Sequence, residues 1–306
     1  SEREGKDESI EECVELLEHG DVLDERSVPE ESKDEGADEN HEHKGEEFGQ
    51  GVLSLTGVYN TANHLYINNI FFSNIISMPP KRLPVSGSEP KFTQVMWGRA
   101  VGINNNNCYA YAVGDYEKKR SYKSVPGERA GLSTSGSSYL SCKVLPKMVV
   151  ADNPKKVYIS RAESKCRPGY YKVMMFLSPG VRTYFKQGDF HFYKQHSTVE
   201  YKVKKGNTYE EIAKFFKVPL ARVKKASAST SPQPGKILKF KCNVFSHKRG
   251  WATGPLLTDA KGNVIIDPRK ASKDYGRLNY NKYCSSFCVK DRGIKVGHTH
   301  PKVGKK

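Results

Sequence analysis

Cys108 follows a run of four asparagines, Asn104 to Asn107, and opens the apolar stretch Tyr109-Ala110-Tyr111-Ala112. The spacing predicts a helix that starts at the cysteine with Asn107 as its N-cap. Free N–H groups and the positive dipole end at a helix start favour a thiolate, so a depressed pKa and a nucleophile are expected. A cysteine nucleophile needs a base that takes a proton and later returns it. Two histidines in strand-like segments are candidates, His191 within Asp189 to Tyr193 and His247 within Asn243 to Gly250. The plainer alternatives are a small core cysteine, a strand histidine packed against Phe190 or Phe192, and a surface His247.

The elements that must position these residues are visible in outline. Tyr170 to Leu177 is a nearly continuous apolar run, as a buried strand should be, and Asp189 to Tyr193 alternates as a second strand. Gly131 to Ser138 reads as a loop, and Lys143 to Ser160 as short β-type runs, clearest at Val157-Tyr158-Ile159.

The 306-residue chain is long enough for roughly two domains and carries a formal net charge of +16. That figure hides a division. Residues 1–50 hold 20 acidic and 5 basic side chains, a net of −15, which leaves +31 on the other 256 residues. The composition of 1–50 predicts an acidic disordered tail. Residues 51–89 read as an extended arm followed by the Pro-rich linker at Met78-Pro79-Pro80-Lys81-Arg82, and residues 293–306 as a basic tail. A basic body seeks polyanions, so nucleic acid is a partner that charge alone allows. No secretory signal opens the chain, and no run is long enough to span a membrane. Seven cysteines without a repeated spacing imply neither a disulfide framework nor a zinc site, because Cys284 and Cys288 lack a second pair. No cofactor is expected.

Residues 199–241 carry a second pattern. Tyr201-x-Val203-x-x-Gly206-Asn207-Thr208 is followed by Ile212-Ala213-x-x-Phe216, Val218-Pro219-x-x-x-Val223-x-x-Ala226 and Pro234-Gly235-x-Ile237-Leu238. Thr208 and Glu211 form a capping box, and Pro219 stands where a second helix would begin. This stretch resembles a LysM domain. The resemblance implies a βααβ module that binds N-acetylglucosamine-containing polysaccharide, peptidoglycan or chitin. Its contacts would be Gly206, Asn207, Thr208, Tyr209 and Ser227.

Excising residues 196–242 brings His191 and His247 onto one hairpin, with the module at its tip, a tolerated place for an insertion. The order of helix-start cysteine, strand histidine and second strand histidine resembles the NlpC/CHAP-type branch of the papain-like cysteine hydrolases, over residues 90–195 and 243–292. Asn107-Cys108-Tyr109 departs from the Asp-Cys-Ser common in that branch. The resemblance implies an α+β fold, a papain-like helix packed on an antiparallel sheet. Cys108 would attack an amide carbonyl, His191 would act as base and then acid, and His247 would fix the tautomer of His191. Asp267, before Pro268, is a turn residue that could replace His247. The expected activity is a cysteine amidase or endopeptidase on peptidoglycan or a related wall polymer, anchored by the LysM module, with Cys108 alkylated at mildly acidic pH in a His191-dependent manner. The alternative is a non-enzymatic component of a large assembly, such as a virus capsid, that contacts other proteins of that assembly. Either reading favours a virion or cell-wall location.

Overall fold

The computed structural model describes residues 80–135, 138–179 and 188–298. The expectations for the acidic tail, for the arm over 51–77 and for the end of the basic tail lie outside these residues.

The chain is α+β. Helices α1 (Ala100–Asn105), α2 (Cys108–Val113) and α3 (Leu145–Asp152) precede strands β1 (Val157–Ser160), β2 (Tyr170–Ser178) and β3 (Asp189–Lys202). Helices α4 (Tyr209–Phe216) and α5 (Leu220–Lys224) then lead to β4 (Ile237–Lys248), β5 (Pro255–Leu256) and β6 (Lys282–Lys290). The six strands form one sheet in the order β1-β6-β2-β3-β4-β5, with every neighbouring pair antiparallel. No helix among the described residues is long and apolar enough to cross a membrane.

β2 is buried along its whole length because both faces of the sheet are covered. Val173, Met175 and Leu177 join Phe190, Phe192, Phe287 and Val289 in a core with Tyr109 and Ala112 of α2 and Leu145 and Val149 of α3. Met174 and Phe176 point the other way, with Tyr193 and Phe245, under Leu83, Ile265 and Tyr280. Phe192 is fully buried and stacks on Tyr109 with ring centroids 5.0 Å apart. Phe192→Ala is therefore expected to lower stability by about 3–5 kcal/mol in urea unfolding, since a cavity opens beneath α2.

Four expectations are corrected. The segment before β1 holds a helix, α3, where β-type runs were expected; Leu145, Pro146 and Val149 are buried, and packing outweighs the weak helix propensity of Val149 and Val150. Disulfides do form: Cys142 pairs with Cys284 and Cys166 with Cys288, at sequence separations of 142 and 122. Residues 80–89 are not a free linker, for Ser86 donates to the Tyr170 carbonyl and Asn243 donates to that of Leu83. The start of the basic tail belongs to the body, with Ile294 and Val296 in the core and Asn153 Nδ2 donating to the Lys295 carbonyl at 2.7 Å.

The stretch from Thr198 to Lys241 forms a βααβ unit, but its two strands are the outer halves of β3 and β4 themselves. Pairing runs from Tyr193↔His247 to Lys202↔Ile237, with a register shift between His196 and Thr198. Both arms of the capping box at α4 are made: Glu211 N donates to Thr208 Oγ1 at 3.1 Å, and Thr208 N to Glu211 Oε2 at 2.9 Å. The unit shares its core with Phe92, Val264 and Ile266 of the body, and Arg82 Nη2 donates to the carbonyls of Phe216 and Lys217 at the end of α4. It is thus a continuation of the hairpin, and not a bead hung on a tip crossed by few contacts.

Candidate active site

The asparagine run is what seats Cys108. The amide of Asn106 donates to the Glu117 carbonyl and accepts from Glu117 N, both at 2.9 Å. Asn107 Oδ1 accepts from Ala110 N at 3.1 Å, which makes it the N-cap of α2, while its Nδ2 donates to the Ser124 carbonyl at 2.6 Å. The loop that receives these bonds is itself held by a buried Arg120–Asp115 pair at 2.7 Å. At the far end, Gly114 closes α2 in the left-handed region with φ of 80°.

The thiol is not a resting thiolate. Cys108 is 3% exposed, and Sγ donates to the Phe190 carbonyl at 3.7 Å. Burial pushes its pKa up to about 12; the negative charge of Asp189 adds to the rise, and Lys123 opposes it. The expectation of a depressed pKa is therefore corrected. A helix of six residues supplies too little field at its start to offset desolvation. At pH 7 such a thiol is neutral.

The two histidines meet. His191 and Tyr193 point to the sheet face opposite the core of Phe190 and Phe192, and His247 stands across from Tyr193 in the β3–β4 ladder. His191 Nε2 lies 2.7 Å from His247 Nδ1, and His247 Nε2 lies 3.0 Å from the Thr258 carbonyl. A carbonyl can only accept, so His247 carries its proton on Nε2 and accepts at Nδ1. His191 must then donate from Nε2, which leaves a lone pair on its Nδ1. One backbone carbonyl thus sets both tautomers. Tyr280 stacks on His191 at 4.7 Å, Tyr193 stacks on His247 at 5.1 Å, and Tyr275 Oη lies 3.4 Å from His247 Nε2. Burial above all, then the neighbouring His247, Lys123 and Arg249, holds the pKa of His191 well below the usual imidazole value. His247 is likewise lowered to about 4 by burial. Both rings are neutral at neutral pH.

Cys108 and His191 open onto one cleft of ≈640 Å³, whose lining also includes Asn107, Asp189, Trp251 and Tyr275. The β3–β4 ladder ends at Tyr193↔His247, β5 pairs with the opposite edge of β4 at His247 and Lys248, and the Phe190 carbonyl is taken by the thiol. In this state the thiol bonds to that carbonyl and not to His191. Sequence reasoning missed Thr258, Tyr275 and Tyr280, which orient the histidines. Nothing in their spacing signals that role.

The five residues expected to touch glycan cluster around the start of α4, but most of their polar groups are engaged within the unit. Asn207 Oδ1 accepts from Tyr201 Oη at 2.7 Å and from Lys204 N at 3.0 Å, and Thr208 is used by the capping box. Tyr209 is 2% exposed and donates to the Ser229 carbonyl at 2.9 Å. Ser227 Oγ accepts from Ser229 N at 3.2 Å, and Gly206 turns in the left-handed region with φ of 82°. Asp267 pairs with Arg269 at 2.7 Å and does not substitute for His247.

No protein-family model matches the chain, nor does any curated protein or solved structure. What the site can do rests on its own chemistry.

Proposed function

We propose that the protein is a cysteine amidase or endopeptidase that cleaves an amide in peptidoglycan or a related wall polymer, with a papain-like body. The observation that carries this reading is the relay from the Thr258 carbonyl through His247 to His191, which leaves a lone pair on Nδ1 of a ring that lines one cleft together with Cys108. Because thiol and imidazole are both neutral at rest, His191 works as a general base toward a thiol instead of forming a standing ion pair. As Sγ attacks the carbonyl carbon, the S–C bond forms and the thiol proton passes to His191 Nδ1. The imidazolium then returns that proton to the departing nitrogen as the C–N bond breaks. Water, deprotonated by His191, hydrolyses the thioester and regenerates the thiol. The backbone N–H of Cys108 is one donor for the oxyanion.

The βααβ unit, in its resemblance to LysM, serves as the anchor to N-acetylglucosamine-containing glycan. Glycan would meet it around Gly206, which is exposed, and Ser227, which is half-buried. The two disulfides suit work outside a reducing cytosol, as at a wall or in a particle.

A second reading is favoured by one observation: the thiol is buried and bonded to Phe190. In that case the body is a scaffold within a larger assembly. Release of peptide from labelled wall polymer by wild type and by Cys108→Ala separates the two. The hydrolase reading expects loss of release to background in the variant; equal results for both proteins establish the scaffold.

A further inference from the structure

The cleft carries more positive charge than its own carboxylate can balance. Among the described residues, Lys123, Arg249 and Arg277 line it with a single acidic side chain, Asp189. That carboxylate is already engaged, by Lys123 Nζ at 2.7 Å and by Tyr280 Oη at 2.9 Å. Among the described residues, the guanidinium groups of Arg249 and Arg277 meet no carboxylate. Arg249 is nonetheless held in place, lying 4.6 Å over the ring of Tyr275, which in turn stands beside His247. Trp251 is 44% exposed on the same rim.

We propose that this rim is a carboxylate-binding subsite, in which Arg249 and Arg277 grip an acidic group of the substrate next to the bond that Cys108 attacks, with Trp251 covering its apolar portion. The inference rests on the hydrolase reading for its reaction and specifies the class of substrate, an acidic peptide. Arginine suits the task, because its planar fork binds a carboxylate through two parallel N–H···O bonds, and a pre-oriented fork loses less entropy on binding. The subsite also bears on the base. Arg249 is among the cations that oppose protonation of His191, after burial, His247 and Lys123. A bound carboxylate offsets that repulsion and eases proton transfer from the thiol once substrate has arrived.

The test separates binding from turnover. Full-length Cys108→Ala protein is titrated with N-acetylglutamate and with N-acetylglutamine, followed by the fluorescence of Trp251. The glutamate compound is expected to bind at least tenfold more tightly at low salt, and Arg249→Gln/Arg277→Gln is expected to abolish the difference. Equal binding of the two compounds, or a preference that survives the double variant, overturns the proposal. In parallel, wild type is assayed on two peptides that differ only by Glu or Gln beside the scissile amide. Cleavage of both at the same kcat/KM leaves the hydrolase reading standing and sinks the subsite. Charge-selective binding with cleavage of neither peptide keeps the subsite and sinks the hydrolase.

Discussion

His191→Ala is expected to lower amide turnover by about 10³–10⁴-fold, because it removes the base toward the thiol and the acid toward the leaving nitrogen together. His247→Ala is expected to cost less, about 10–10²-fold, since His247 touches no reacting atom and acts by holding the His191 proton on Nε2. His247→Gln, whose carbonyl can still accept from that Nε2–H, should recover part of the loss, a result that mere damage to the core would not produce. The acid limb of the kcat/KM profile carries the same signature. His191 must be neutral to act as base, and burial holds its pKa well below the usual value of 6.5. Activity is thus lost only as pH falls through that lowered pKa, and the acid limb lies below the pH at which an ordinary histidine titrates. A limb centred near pH 6.5, with the protein still folded by circular dichroism, would contradict the assignment.

Acid should also destabilise the fold. His247 titrates near 6.5 when unfolded and at about 4 in the native state, where burial disfavours its charge. Between these values the unfolded chain binds more protons, so stability is full above about pH 6.5 and drains away as pH falls toward 4. The loss from this group alone is about 3 kcal/mol. His196, buried between the Pro90 carbonyl and Ser246 Oγ and lowered to about 3, acts in the same direction. Urea midpoints measured from pH 7 to pH 4.5 should fall steadily, and less steeply in His247→Gln. A midpoint that stays level over this range would mean that these rings are not buried as neutral groups.

Local rules made much of the frame legible. The N-cap at Asn107, the capping box at Thr208 and Glu211, and the apolar run of β2 each follow from contacts within a few residues, so residue type alone revealed them. The pairing of His191 with His247 became visible once the intervening βααβ pattern was recognised, because two antiparallel strands must then face each other. What escaped was non-local. Helix α3 exists because Leu145 and Val149 find a core under the sheet, which outweighs the weak helix propensity of the adjacent valines Val149 and Val150. The disulfide partners of Cys284 and Cys288 lie more than a hundred residues away, and no spacing marks them. The upward shift of the Cys108 pKa is non-local for the same reason. A helix start can be read from sequence, whereas the strand backbone that desolvates the thiol cannot.

The claim that Cys108 forms a covalent intermediate is tested most directly by intact-mass and peptide-mapping analysis of protein quenched in acid during turnover of an acidic peptide amide. An added mass equal to the acyl portion of the substrate is expected, located on Cys108, removed by hydroxylamine and lacking in Cys108→Ala. Product formation with Cys108 unmodified, and undiminished in Cys108→Ala, would contradict it, as would a wild-type protein that gives neither adduct nor product.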